Sequence, residues 1–172
     1  MARTSFANVQ ALPDAAQAWN FDLFFPTIPG SSRPGINLTY RCKTTELPSS
    51  SIEPVSIELH GVKKQEAGRA IYTHSFNSTF MEAIDYATYQ DLRRWRDYMR
   101  SWKRNSGTNS QAYKINGEMD LYDNAGNPAQ TVIIVGLFPT EIGQVSFNGA
   151  ESTALEVPVT WSFDYLDDGI SF

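Results

Sequence analysis

Apolar and polar positions alternate with a period of two over most of this chain, and the period changes only once. Trp19, Phe21, Leu23 and Phe25 alternate with Asn20 and Asp22, the pattern of a half-buried strand, until Pro26, Pro29 and Gly30 end it. Residues 31–35 then form a loop. Leu38, Tyr40 and Cys42 alternate with Thr39, Arg41 and Lys43, which predicts a second strand running to about Glu46. Val55, Ile57 and Leu59 mark a third. After it Gly61, Val62, Lys63, Lys64, Gln65, Glu66, Ala67, Gly68 and Arg69 make a polar excursion that is either a long hairpin tip or a mobile loop.

The chain re-enters with Tyr72, His74, Phe76, Ser78 and Phe80 on one face and Thr73, Ser75, Asn77 and Thr79 on the other, the second being small and wettable. The period then changes to about 3.6. Leu92, Trp95, Met99 and Trp102 fall at spacings of three, four and three, so a helix is predicted over roughly 86–104. Asp85 or Thr88 serves as its N-cap, and residues 105–107 supply its stop.

Beyond the helix, Tyr113, Ile115, Met119 and Leu121 alternate with Lys114, Asn116, Glu118 and Asp120, and residues 123–128 carry a strong turn signal. Residues 131–135 are apolar on both faces, which predicts a central strand. Val145 and Phe147, then Asn148 and Gly149, then the alternation from Leu155 to Tyr165 predict a hairpin, with Pro158 marking an edge or a bulge. The sum is a mainly β protein: an antiparallel sandwich or barrel of about eight strands carrying one packed helix. Residues 1–18 read as an N-terminal arm and 19–172 as a single domain, which suits a chain of 172 residues.

No run approaches the roughly 20 apolar residues of a membrane span, so membrane insertion is not expected. The first residues lack the apolar segment of a secretory signal, and a cytoplasm-like location is expected. Cys42 is alone and fits a core position better than a reactive one.

Catalytic chemistry finds little support. His60 and His74 have no second ligand at metal spacing, and phosphate-cradling glycine loops and nucleophile motifs are absent. Glu118 and Asp120 lie two apart on one strand face and could be paired carboxylates of a hydrolase, but a solvated face is the simpler reading. No enzyme activity, metal or cofactor is expected.

Charge is more informative, because it is unevenly spread in a chain of net charge −5. Residues 92–104 hold six of the fourteen bases, whereas residues 105–172 hold Glu118, Asp120, Asp123, Glu141, Glu151, Glu156, Asp164, Asp167 and Asp168 against Lys114 alone. On the helix, Arg93, Arg96, Arg100, Lys103 and Arg104 flank an apolar stripe that turns Trp95 and Trp102 toward the core. Buried tryptophans cannot stack on bases, and the chain lacks a net basic surface. The arginine face therefore reads first as a protein interface, then as a solvated face, and last as a nucleic-acid site.

The collinear order of these stretches, 20–25, 40–48, 57–61, 76–80, 85–95, 119–127, 136–142 and 157–165, resembles the tail tube proteins of contractile-tailed phages. Those proteins are similar in fold to the tubes of type VI secretion systems. The resemblance implies homohexameric rings stacked into a hollow tube, with sheath, baseplate and terminator proteins as partners. It implies a virion component assembled in host cytoplasm, through which DNA passes without specific binding. It implies also that the helix lies beside a neighbouring subunit and that residues 61–69 contact the adjacent ring. Thr73, Ser75, Asn77, Thr79, Glu118, Asp120, Glu156 and Asp164 are then the candidates for the lumen wall, where carboxylates repel phosphate. A tube initiator, a baseplate tube protein or a type VI-like tube are variants of this reading. A monomeric ligand-binding β-barrel and a basic-helix nucleic-acid binder are alternatives of other classes.

Overall fold

The computed structural model describes residues 10, 14–150 and 153–167. Most of the N-terminal arm, and the acidic residues Glu151 and Asp168, lie outside the described residues. The strands are β1 (Phe21–Phe24), β2 (Cys42–Thr45), β3 (Ser50–Leu59), β4 (Val62–Tyr72), β5 (Ser75–Met81), β6 (Ile115–Tyr122), β7 (Pro128–Ile142), β8 (Glu156–Ser162) and β9 (Tyr165–Asp167). Helices are α1 (Ile36–Thr39), α2 (Ala87–Met99) and α3 (Ser110–Tyr113). Seven strands make one antiparallel sheet in the order β1-β6-β7-β8-β5-β2, with β9 against β7, and β3 and β4 form a separate hairpin.

The sheet folds into two layers because β7 belongs to both. Its first half pairs with β6 and β9, its second half with β8. Gly136 sits at the bend with φ +73, and Ile134 and Leu137, on either side of it, are both buried. The extra residue shifts the alternation and turns the strand from one layer to the other. A side chain at 136 would meet the Asp164 carboxylate at 2.2 Å, so only glycine fits. The sequence pattern ends this strand at Val135 because Gly136 reads as a breaker; in the fold it is a hinge inside one long strand. The result is an open sandwich and not a closed barrel.

Leu23, Phe25, Met119 and Ile134 from one layer meet Phe76, Phe80, Val157, Val159 and Trp161 from the other, all buried. Trp161 is central, with ring centroids 5.2 Å from Phe25, 6.1 Å from Phe80 and 5.5 Å from Trp95 of α2. Such pairs add roughly 0.5–1.5 kcal/mol each beyond the area they bury. The Trp95 Nε1–H donates to the Tyr113 carbonyl at 2.9 Å, so its polar edge is satisfied inside the core.

Several elements differ from the sequence expectation. Residues 36–39 form a helix in place of a strand, burying Leu38 and leaving Tyr40 exposed. The strand expected from Tyr113 begins at Ile115, because Asn109 caps the short α3 through the Gln111 N–H. The hairpin expected around Asn148–Gly149 is absent: residues 143–150 are irregular, with Val145 against the core and Phe147 exposed. Pro158 lies on a central strand; the β7 ladder ends at the Ile142–Val159 pair, and beyond it the Gly143 N–H donates to the Pro158 carbonyl.

Helix α2 ends at Met99, five residues before the predicted limit. Arg100 turns extended, and the N–H and hydroxyl of Thr108 donate to the carbonyls of Met99 and Tyr98, satisfying the last turn. Trp102 therefore leaves the helix and is 78% exposed, so Trp95, with Leu92, anchors the helix to the core. At the other end Glu82, outside the helix, does most of the capping. Its carboxylate accepts from the N–H groups of Thr88 (3.0 Å) and Tyr89 (2.7 Å), while Asp85 takes only Ala87 and Thr88 lies within the first turn.

Cys42 lies against the core, and burial, aided by the negative charge of Asp22, pushes its thiol from 9.0 to about 12. Because this folded-state value is raised, the protonated thiol contributes stability in full below pH 9 and loses it as pH rises from 9 toward 12. At pH 8 Cys42 should resist a disulfide-exchange reagent until denaturant is added, which absorbance at the released thiolate would show. Trp161→Ala should cost about 3–5 kcal/mol in urea unfolding, since it removes the shared partner of Phe25, Phe80 and Trp95.

Candidate functional site

The outer face of β2, β5, β8 and the far half of β7 is a sheet of small hydroxyl and amide side chains. Strand register sets Ser75 opposite Ser162, Asn77 opposite Thr160 and Thr79 opposite Thr44. Apart from buried Ser78, the inward residues of β5 and β8 are aromatic or aliphatic, so alternation leaves most of the small ones outside. The wall is internally hydrogen-bonded. Glu46 accepts from the Asn77 backbone N–H (3.1 Å) and side-chain amide (3.2 Å), and the Thr160 hydroxyl donates to the Asn77 side-chain carbonyl at 3.0 Å. The Thr140 hydroxyl donates to the Thr160 carbonyl, and that of Ser162 to the His74 carbonyl, both at 3.0 Å. Three carboxylates, Glu46, Glu141 and Glu156, border the wall against one ammonium, Lys43, which pairs with Glu156.

Of the eight lumen candidates, the fold brings Ser75, Asn77, Thr79 and Glu156 onto this face, with Thr73 at its rim donating to the Ser75 carbonyl. Glu118 and Asp120 lie elsewhere, on the outer face of β6 in the other layer. There Asp120 stands opposite Asp22 and accepts from the Thr131 hydroxyl at 2.5 Å. The Tyr122 hydroxyl donates to Asp22, and its ionisation is pushed up by loss of hydration, this bond and the two aspartates. Asp164 is in the turn before β9, held by Lys114 at 2.6 and 2.8 Å. The sequence reading missed Thr160 and Ser162, whose small side chains alternate with Val159 and Trp161 as those of β5 alternate with Phe76 and Phe80. Glu141 had no such signal, because the far half of β7 was not legible.

The basic segment is only partly a helix face. Arg93 and Arg96 are on α2, Arg100 ends it, and Lys103 and Arg104 lie in the returning loop. Arg96 pairs with Asp97 at 3.0 Å and lies 4.5 Å over the Trp102 ring. Arg100 donates to the Asn105 side chain, and Arg93 covers Tyr89. Arg94 faces away toward Asp91, a buried carboxylate that also receives Arg33 and the Ser31 hydroxyl.

Of the two readings of residues 61–69, a long hairpin tip or a mobile loop, the structure has the hairpin: Gly61 is in its turn and 62–69 belong to β4. His60 and Gly61 have φ of +51 and +79, the left-handed pair of a tight hairpin turn. From residue 51 to 71 every position is exposed except the half-buried Ile57. Val55, Leu59 and Val62 share one face, set by the Val55–Glu66 and Leu59–Val62 pairs.

Among the described residues no group of three or more His, Cys, Asp or Glu side chains could hold a metal ion.

Residues 16–166 match the family model described as phage tail tube protein. No curated protein matches the chain in sequence. Among solved structures the fold is similar to a sheath/tube terminator from an extracellular contractile injection system (PVC) in its extended state. That pair has TM-score 0.64 and 14% identity over 91% of this chain and 98% of that one. A sheath-tube complex of the same system has TM-score 0.61 and 14% identity, covering 96% and 97%. The cap that terminates the tube of the anti-feeding prophage has TM-score 0.61 and 13% identity, covering 96% and 97%. With the family model running from ahead of β1 into β9, the chain belongs to the phage tail tube protein family, and its role is that of a structural tail component and not of an enzyme.

Proposed function

We propose that this chain closes into six-membered rings that stack into the hollow inner tube of a contractile tail, the conduit for DNA ejection. The observation that carries this reading is the sheet itself. It ends in two short strands, β1 and β2, each paired on one side only among the described residues, while its hydroxyl wall faces away from the core. Open edges on a monomer template uncontrolled pairing, but joined head to tail around a ring they disappear. The wall then faces the bore. Its hydroxyls are tied to one another, its excess charge is negative and its one ammonium, Lys43, is paired with Glu156, so phosphate finds little there to hold it.

In this arrangement Arg93, Arg100, Lys103 and Arg104 face a neighbour in the ring, and the β3–β4 hairpin reaches the adjacent ring. Sheath, baseplate and terminator proteins contact the outside and ends, in a virion assembled in host cytoplasm. Glu118 and Asp120 belong to the outer layer and not to the bore. A second reading, a terminator ring, is favoured by the terminator and cap among the similar folds. The two differ in one property: a tube subunit polymerises alone, a terminator stops at rings.

Negative-stain microscopy of the purified protein should show rings and tubes; rings alone would favour the terminator, and monomers at high concentration would overturn both. Arg93→Glu with Arg100→Glu should abolish assembly while circular dichroism stays unchanged, whereas normal rings would make this face a solvated one.

A further inference from the structure

We propose that Asn148 and Gly149 form a self-modifying site, at which the loop backbone converts the Asn148 side-chain amide to a carboxylate with water as the only co-reactant. The sequence holds the pair Asn-Gly twice, at 116–117 and at 148–149. In both, the residue after the asparagine has no side chain, so its backbone nitrogen can approach the asparagine Cγ closely. The fold separates the two pairs.

Asn148 lies in the irregular stretch 143–150, and its Oδ1 accepts from the Ala150 N–H at 3.0 Å. That bond curls the side chain back along the chain and carries Cγ toward the intervening Gly149 nitrogen. A β carbon at 149 would meet nothing within 4 Å, and among the described residues no hydrogen bond engages the Gly149 N–H. The attacking nitrogen is therefore unhindered. Attack places negative charge on Oδ1, where the Ala150 N–H already points, as a donor that stabilises an oxyanion must.

Asn116 has the same neighbour and the opposite setting. It stands in β6, with Gly117 opposite Ile134, and its Oδ1 accepts from the Gly136 N–H across the sheet at 3.3 Å. Leu137 fills the space over Gly117, 2.7 Å from where a β carbon would be. Closing a ring there would break the ladder that holds the backbone extended.

The chemistry needs neither oxidant nor reductant. The Gly149 amide gives its proton to solvent base and bonds to Cγ; the Cγ–Nδ2 bond breaks, and ammonia leaves with a proton from water. Water then opens the resulting cyclic imide at either carbonyl, leaving aspartate, or isoaspartate with the backbone routed through the former side chain. One water is consumed and one ammonia released. Asn148 lines one cleft with Glu156, Thr79 and Pro158, at the end of the hydroxyl wall. Each conversion makes the chain one charge more acidic than its −5 and adds a carboxylate to that cleft. On the tube reading, on which this consequence alone rests, the wall repels phosphate more strongly as the particle ages.

Incubation of the full chain in mildly alkaline buffer, then cleavage after glutamate and tandem mass spectrometry, tests the conversion. Glu118, Glu141 and Glu151 put Asn116 and Asn148 in different peptides. In the folded protein, exchange of amide for acid should run at least tenfold faster at 148 than at 116, whereas in urea the two rates should be closely similar. Equal rates in the folded protein, or a slower rate at 148 folded than in urea, would overturn the proposal. Gly149→Ala meets open space without a left-handed φ, so it should slow conversion at 148 at least tenfold while circular dichroism stays unchanged. An unchanged rate in that variant would also overturn the site. Absence of rings and tubes by microscopy would overturn the tube reading and leave the conversion standing.

Discussion

Strand β7 is too long for either layer, and the way it bends sets the rest of the molecule. At Gly136 the backbone takes a conformation that L side chains rarely adopt, against the Asp164 carboxylate, and the alternation slips by one residue. Below the slip β7 hydrogen-bonds to β6 and β9; above it, to β8. One covalent strand thereby holds both layers at the separation that Trp161, Trp95, Phe25 and Phe80 fill. The aromatic core and the bend depend on each other, since without the bend the inner faces of the two layers would not meet.

The same bend decides which polar residues share a surface. Outward residues of β5 and β8 form the hydroxyl wall on one side, and Asp22, Glu118 and Asp120 occupy the outer face of the other layer. Carboxylates that look equivalent along the chain are thereby separated into two populations. One borders a smooth, self-satisfied wall. In the other, Asp22 and Asp120 stand beside Tyr122, whose ionisation is pushed up by loss of hydration and then by these two carboxylates.

The helix shows how buried ionic groups fix a surface element in place. Glu82 meets the open N–H groups at its start, and Asp91, one turn in, receives Ser31 and Arg33 from the loop after β1. These contacts, with Trp95, fix the start and middle of the helix that carries Arg93 and Arg96. The returning loop of residues 100–107 adds Trp102, folded under the Arg96 guanidinium, to an outer face that a continued helix would have turned inward.

Much of this was legible from alternation alone: the mainly β class, the buried face of β5 with its wettable reverse, the buried faces of β6 and β8, and Trp95 as the helix anchor. These follow from local geometry, because a strand places successive side chains on opposite faces wherever it lies. The errors fall where local geometry and tertiary contact compete. Leu38, Tyr40 and Cys42 alternate like a strand, yet only Leu38 and Cys42 find the core, because a short helix intervenes. Trp102 keeps the helical spacing but loses the helix to the bonds that Thr108 makes with its last turn. Residues 61–69 leave a hairpin tip and a loop open because neither face is continuously apolar, and pairing with β3 decides for the hairpin. Sequence by itself determined which residues could be inside; the fold decided which of the outer ones stand together, because that depends on where β7 crosses between layers.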